Sequence, residues 1–237
     1  MEFSGTKVVI IGGTSGIGRA VATRCAALGA DIVAASSSDA KVDAARSALP
    51  TGTVAAVVDV TNEAQVAAFF ERLGSFDHLV FTAGDWGPMA GGRLSELDLD
   101  RARQVFAVRF WGALTAAKHA HASMVPGGSI TLTDGLIAHR PRVGAAVNTA
   151  MAGAIEHLVA GLAVELAPVR VNGVCPGLID TEALAAIPPD RITAMTARQA
   201  VPRAGSPDEA AEAYLYLMRG TYTTGQVIRV DGGMSLT

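Results

Sequence analysis

Cysteine is almost missing: the chain has only Cys25 and Cys175 in 237 residues, with no C-x-x-C spacing. Two cysteines cannot build a disulfide framework, so a reducing compartment and a cytoplasmic location are expected. Charge is also sparse, at 17%, and the 19 basic residues do not outnumber the 22 acidic ones. A formal net charge of −3 with no basic cluster excludes a general nucleic-acid binder. At 50% hydrophobic residues the chain does not read as disordered. No charge-free apolar run reaches the roughly 18 residues of a membrane span. The first thirteen residues, MEFSGTKVVIIGG, lack the regions of a signal peptide. A soluble, unprocessed chain with no membrane partner is therefore expected. Tyrosine occurs only as Tyr214, Tyr216 and Tyr222, and lysine only as Lys7, Lys41 and Lys118.

What is present is alternation. Short β-branched runs at 8–11, 31–35, 54–58, 78–81, 129–132, 169–174 and 227–230 are separated by Ala-rich segments of helical spacing at 19–28, 64–73, 99–123, 145–167 and 207–218. This pattern predicts an α/β fold: a single doubly wound domain over residues 1–237, with a seven-stranded parallel sheet and helices on both faces. Residues 180–205 hold three prolines and follow a strand end, as a lid over a substrate site would.

The first strand runs into Gly12-Gly13-Thr14-Ser15-Gly16-Ile17-Gly18 and then a helix. Glycines there let the backbone approach a pyrophosphate, which the helix N-terminus holds with free N–H groups, as in a Rossmann-type fold. The spacing Gly12-x-x-x-Gly16-Ile17-Gly18 resembles that of the short-chain dehydrogenase/reductase family. Asp59-Val60-Thr61 is similar to that family's adenine-contacting segment, and Thr82-Ala83-Gly84 to its Asn-Ala-Gly. The stretch from Val169 to Gly177, with Ile179 and Thr181 after it, resembles the segment that positions the nicotinamide carboxamide. Thr224-Gly225-Gln226 and Val230-Asp231-Gly232-Gly233 resemble its last strand.

The resemblance implies a dinucleotide cofactor held by Gly12, Thr14, Ser15, Gly16, Ile17, Gly18, Ser36, Ser37, Asp59, Val60, Ala83, Gly84, Pro176, Gly177, Ile179 and Thr181. An acid at the end of the second strand would bond a ribose and repel a 2′-phosphate. Ser36 stands there, followed by Ser37 and Ser38, which favours NADP(H) over NAD. No Arg sits beside Ser36, and Asp39 remains within reach of a ribose.

The family's usual chemistry uses an Asn in the fourth helix, a Ser after the fifth strand and a Tyr-x-x-x-Lys on the next helix. Those positions here fall on Arg109, on Gly135 or Asp134, on Asn148 and on Ala152. Counting four residues on from each tyrosine reaches Met218, Gly220 and Gln226, so the chain contains no Tyr-x-x-x-Lys anywhere. Asn148 can donate a hydrogen bond but no proton near neutral pH. Arg109 keeps its charge and can hold a carboxylate or stabilise an oxyanion. Asp134 is the one titratable substitute, an acid if burial raises its pKa, or a structural partner of Arg109. Three readings follow: an NADP-dependent reductase of a small carbonyl, imine or conjugated substrate by a non-standard mechanism; a family-derived enzyme of non-redox chemistry; or a dinucleotide-binding pseudoenzyme.

His119 and His121, about 200° apart on a helix, do not read as a metal pair. His139, Arg140 and Arg142 follow the fifth strand and would give the pocket a cationic mouth suited to an anionic small molecule, or form a solvated loop. Asp85-Trp86 could wall that pocket. Cys175 reads as a small buried filler. Phe106, Phe110 and Trp111 give the fourth helix an aromatic face, and the resemblance implies that it pairs chains into a homo-oligomer, a dimer or tetramer.

Overall fold

A computed structural model describes residues 2–84 and 93–237. Seven parallel strands form one sheet: β1 (Lys7–Ile11), β2 (Asp31–Ser36), β3 (Val54–Val57), β4 (Phe76–Phe81), β5 (Met124–Thr133), β6 (Arg170–Pro176) and β7 (Val227–Val230). Their order is β3-β2-β1-β4-β5-β6-β7, so the winding reverses between β1 and β4. At such a reversal the loops leaving neighbouring strands diverge and open a crevice beyond the strand C-termini.

β1 and β6 are buried nearly throughout, as central strands of a parallel sheet are: β1 is an apolar run after Lys7, while β6 also buries Arg170 and Asn172, which donate to the carbonyls of Leu217, Met218 and Thr223. Helices α1 (Gly16–Ala27), α2 (Asp39–Ala45), α3 (Glu63–Leu73), α4 (Leu99–Phe106), α5 (Ala113–His121), α6 (Ala146–Glu165), α7 (Pro189–Thr196) and α8 (Pro207–Arg219) cover the sheet. One face packs Val66, Phe70, Ala116, Met151, Ile155 and Val159 against Val9, Leu79 and Ile130. The other packs Val21, Cys25, Ala211, Tyr214 and Leu215 against Val8, Ile10 and Val80. Helix starts follow local chemistry: Ser38 and Asn62 cap α2 and α3, and Ser206 with Glu209 forms a capping box ahead of Pro207 on α8. Among the described residues α6 alone is long and apolar enough to cross a membrane, and it lies on the sheet with Met151, Ala152, Ile155 and Val159 buried.

Several boundaries differ from the periodicity reading. α2 is seven residues long and α7 eight, too short for an apolar stripe to repeat. β5 starts five residues early, where Met124 pairs with Phe76 ahead of a register shift. β6 extends to Pro176 because β7 pairs with it through that residue. The fourth helical stretch is interrupted: Ala107–Gly112 is wound as a π-helix between α4 and α5. His119 is bonded to Glu63 on α3 at 3.1 Å rather than paired with His121.

Candidate active site

The crevice at the reversal is a cleft of about 1100 Å³. Each cofactor candidate named above lines it, from Gly12 to Thr181, as do Arg109, Asp134 and Asn148. Its floor is the glycine turn packed on the end of β4. Gly12 has φ +93°, and a Cβ there would lie 2.5 Å from Ala83 N and 2.7 Å from Thr82 Oγ1; one on Gly18 would lie 2.2 Å from Gly12 O. Only glycine lets these backbones meet.

The N-terminus of α1 already receives an anion from the chain itself. Glu182 Oε2 accepts from Gly16 N–H at 3.0 Å, and Glu182 Oε1 pairs with Arg19 at 2.6 Å. Desolvation would raise the Glu182 carboxyl, but its own backbone N–H, Arg19 and Gly16 N–H together hold it below the usual carboxylate range. At the far end of the cleft Ser36 and Ser37 are joined by Lys41, whose Nζ donates to Ser37 Oγ at 3.3 Å. Lys41 and Glu182 were not singled out from sequence. The cap at Ser38 places Lys41 one helical turn beyond the serines, and Glu182 directly follows Thr181. Asp39 does not line the cleft, and Asp59 is committed to its own turn, accepting from Thr61 N–H and Oγ1–H.

Arg109, Asp134 and Asn148 reach the opposite wall from three elements, with exposures of 7%, 1% and 1%. The π-helical turn carries Arg109 inward, where its guanidinium lies against Gly84; a Cβ on Gly84 would sit 2.4 Å from Arg109 Cζ. No ion pair joins Arg109 to Asp134. Instead Asp134, at the end of β5, faces Glu156 on α6 and Cys175 on β6. Neither of its oxygens meets a partner in hydrogen-bond geometry, and the amide of Asn148 is likewise without one among the described residues. Burial pushes Asp134 up to about 7; the Gly135 N–H and the Cys175 thiol act downward, and the nearby Glu156 carboxylate acts upward. Cys175 is buried as expected, but beside these acids rather than as mere filler.

His139 turns away from the cleft, with Nε2 2.5 Å from Glu156 Oε1. Arg140 lines the mouth but is engaged by the carbonyls of Met234 and Thr237. Arg109 and Arg142 line the same part of the cleft, beside apolar Leu136, Ile137, Leu184, Ile187 and Met195. The Asp85-Trp86 wall lies outside the described residues. Phe106, Phe110 and Trp111 form an edge-to-face series in which Phe106 and Phe110 pack on the core and only Trp111, 58% exposed, faces outward.

A glycine turn feeding a helix at a sheet reversal, with buried polar groups facing it across one cleft, defines a doubly wound dinucleotide-fold oxidoreductase. The chain belongs to the short-chain dehydrogenase/reductase family. Residues 12–235 match the family described as enoyl-(acyl carrier protein) reductase. It is 32% identical to the short-chain dehydrogenase/reductase fsr5 of Gibberella fujikuroi, over 100% of this chain and 97% of that one. The structure of the MalC reductase/Diels-Alderase from Malbranchea aurantiaca is similar at a TM-score of 0.90 and 31% identity, covering 100% of this chain and 98% of that one. A small-chain dehydrogenase in complex with NADPH is similar at a TM-score of 0.81 and 34% identity, over 98% and 99% of the two chains.

Proposed function

We propose that this protein is an NADP(H)-dependent reductase of a small carbonyl, imine or conjugated substrate, with Arg109, Asp134 and Asn148 in place of the family's usual acid and its helpers. The observation that carries the reading is the convergence of these three side chains, each more than nine-tenths buried, on the cleft that holds the glycine turn.

The residues present fit the cofactor. The α1 N-terminus accepts a carboxylate, so it suits a pyrophosphate held by Gly12, Thr14, Ser15, Gly16, Ile17 and Gly18. Ser36, Ser37 and Lys41 offer hydroxyls and a cation to a 2′-phosphate, with no acid at the end of β2. Asp59 and Val60 would flank the adenine, Ala83 and Gly84 the cleft floor, and Pro176, Gly177, Ile179 and Thr181 the carboxamide end. The similarity to a dehydrogenase solved with NADPH supports the same choice. When bound, NADPH supplies a hydride to the acceptor carbon.

The chain's own residues would manage charge and protons. Arg109 stabilises negative charge developing on the acceptor, or holds a carboxylate of the substrate. Asn148 donates a hydrogen bond to the acceptor heteroatom. Asp134, protonated up to about neutral pH, gives up the proton that the usual tyrosine would supply. An iminium needs no proton, and an enoyl group, the conjugated acceptor in the family description, is activated by its carbonyl. Residues 180–205 would act as the lid, closing Leu184, Ile187 and Met195 over an apolar substrate, with Arg109 and Arg142 favouring an anionic one. The exposed Trp111 supports a homo-oligomer, a dimer or tetramer, which sedimentation would test, and the two buried free cysteines suit a cytoplasmic location.

The test is NADPH titration followed by a carbonyl, imine and enone panel read as loss of NADPH absorbance. Binding with turnover supports the reading, and failure to bind NADPH removes it. A second reading, non-redox chemistry in the same cleft, draws on MalC being described as both a reductase and a Diels-Alderase. Product formed without NADPH oxidation would favour it.

The latch at Glu182 gives a separate expectation. Its carboxylate occupies the N–H group and the cation that a pyrophosphate would use. Glu182→Gln should therefore tighten NADPH binding about two- to fivefold, a charge effect of the size seen at helix termini. Weaker binding in isothermal titration would show that Glu182 does not compete with the cofactor.

A further inference from the structure

Behind the cleft four side chains from four segments meet: Asp134 at the end of β5, His139 in the loop beyond it, Glu156 on α6 and Cys175 on β6. One donor atom of each lies within 4.8 Å of the others. Asp134 and Cys175 are sealed at 1% and 0% exposure, whereas the His139 and Glu156 side chains keep 22% and 23% of theirs. His139 Nε2 stands 2.5 Å from Glu156 Oε1. The cluster thus reaches from the partly exposed His139–Glu156 pair to Asp134 on the cleft wall.

We propose that Glu156 and His139 are the path by which Asp134 regains its proton from solvent after each turnover, an inference that rests on the reading of Asp134 as the acid. In that turnover the acceptor carbon takes hydride from NADPH, leaving NADP⁺, and the acceptor heteroatom takes the proton from the Asp134 carboxyl, leaving a carboxylate. Glu156 then takes a proton from the His139 imidazolium and passes it to Asp134, while His139 takes one from water, releasing hydroxide to solvent. Substrate gains one hydride and one proton, and all three side chains return to their starting states. An imidazole suits the outer position because one ring nitrogen can take a proton while the other releases one. The gap between Asp134 and Glu156 is one that a side-chain rotation or a bridging water closes.

The other titratable groups around the path do not offer a shorter route. Cys175 faces Asp134 from β6, and burial raises its thiol far above the neutral range, so it keeps its proton. Tyr214 on α8 is fully buried against Thr133, and its hydroxyl is raised in the same way. Arg109 and Arg229 add charge nearby but release no proton.

Two measurements test the path in Glu156→Gln and His139→Gln. The first needs no substrate: the infrared absorption of the Asp134 carboxyl, identified by its loss in Asp134→Asn, is followed against pH. In Glu156→Gln its titration midpoint should move to lower pH, because a neighbouring negative charge is gone. The second compares two acceptors. On a neutral ketone or imine, kcat should fall about tenfold in either variant at unchanged KM, with a larger solvent isotope effect. On a quaternary iminium, which needs hydride alone, the fall should be much smaller. Free imidazole should restore part of the His139→Gln loss. An unmoved midpoint, equal losses on both acceptors, or one equivalent of divalent metal that leaves with Cys175→Ser would each overturn the path. A wild type that reduces nothing overturns the proposed function and the path with it, whereas a failed infrared shift overturns the path alone.

Discussion

Asp134→Asn should lower kcat on a neutral carbonyl or imine by about 10²–10⁴-fold, the usual contribution of a positioned general acid, while leaving NADPH affinity nearly unchanged. The substitution keeps the shape of the side chain and removes the proton. Wild-type kcat should fall as pH rises through about 7, where burial places Asp134, and the variant should lose that dependence. Stability should change over the same interval. The folded chain keeps a proton on Asp134 that the unfolded chain, with an ordinary carboxyl of 3.8, has already released. More protons are bound in the folded state, so stability declines as pH rises from about 4 to about 7 and then levels off. Asp134→Asn should flatten that decline, as read from denaturation midpoints at pH 5 and pH 8. A variant with wild-type turnover and wild-type pH dependence would show that Asp134 is structural.

Ser36→Asp should reverse the cofactor preference. A carboxylate at the end of β2 would face the 2′-phosphate with like charge, a juxtaposition that costs several kcal/mol and so about 10²–10³-fold in NADPH affinity. NADH, whose ribose hydroxyls can bond the new acid, should bind as well as before or better. Lys41→Ala should act in the same direction and more weakly, about tenfold, since it removes a single cation bonded to Ser37 and exposed to solvent. Titration of the wild type and both variants with the two cofactors checks this. Equal affinity of the wild type for both would mean that Ser36, Ser37 and Lys41 do not read the phosphate.

Much of this architecture was readable from residue order because the signals were local. Val8 to Ile11 is a continuous apolar run, Val169, Val171 and Val174 punctuate the sixth strand, and the glycine turn between strand and helix fixes its own backbone. The residues expected along the cofactor track all line one cleft because the sheet reversal brings together the loops that carry them. What escaped the sequence was tertiary or too short to be periodic. α2, with seven residues, gave no repeat that would place Lys41 beside Ser37. The π-helical winding at Ala107–Gly112, which aims Arg109 inward, has no counterpart in composition. Glu156 lies eight residues after Asn148 on α6 and hence on the same face, a spacing that was legible but uninformative until β5 and β6 brought Asp134 and Cys175 beneath it. The cationic mouth was weakened by a contact between distant segments, Arg140 being held by Met234 and Thr237.

The most direct test of hydride transfer without a Tyr-x-x-x-Lys is a single-turnover experiment with NADPH carrying deuterium at both positions of nicotinamide C4. The wild type, mixed with carbonyl, imine and enone acceptors, should place deuterium on the reduced carbon of at least one product, and Asp134→Asn should bind the same NADPH with little transfer to a neutral acceptor. NADPH bound by the wild type with no deuterium in any product would contradict the account.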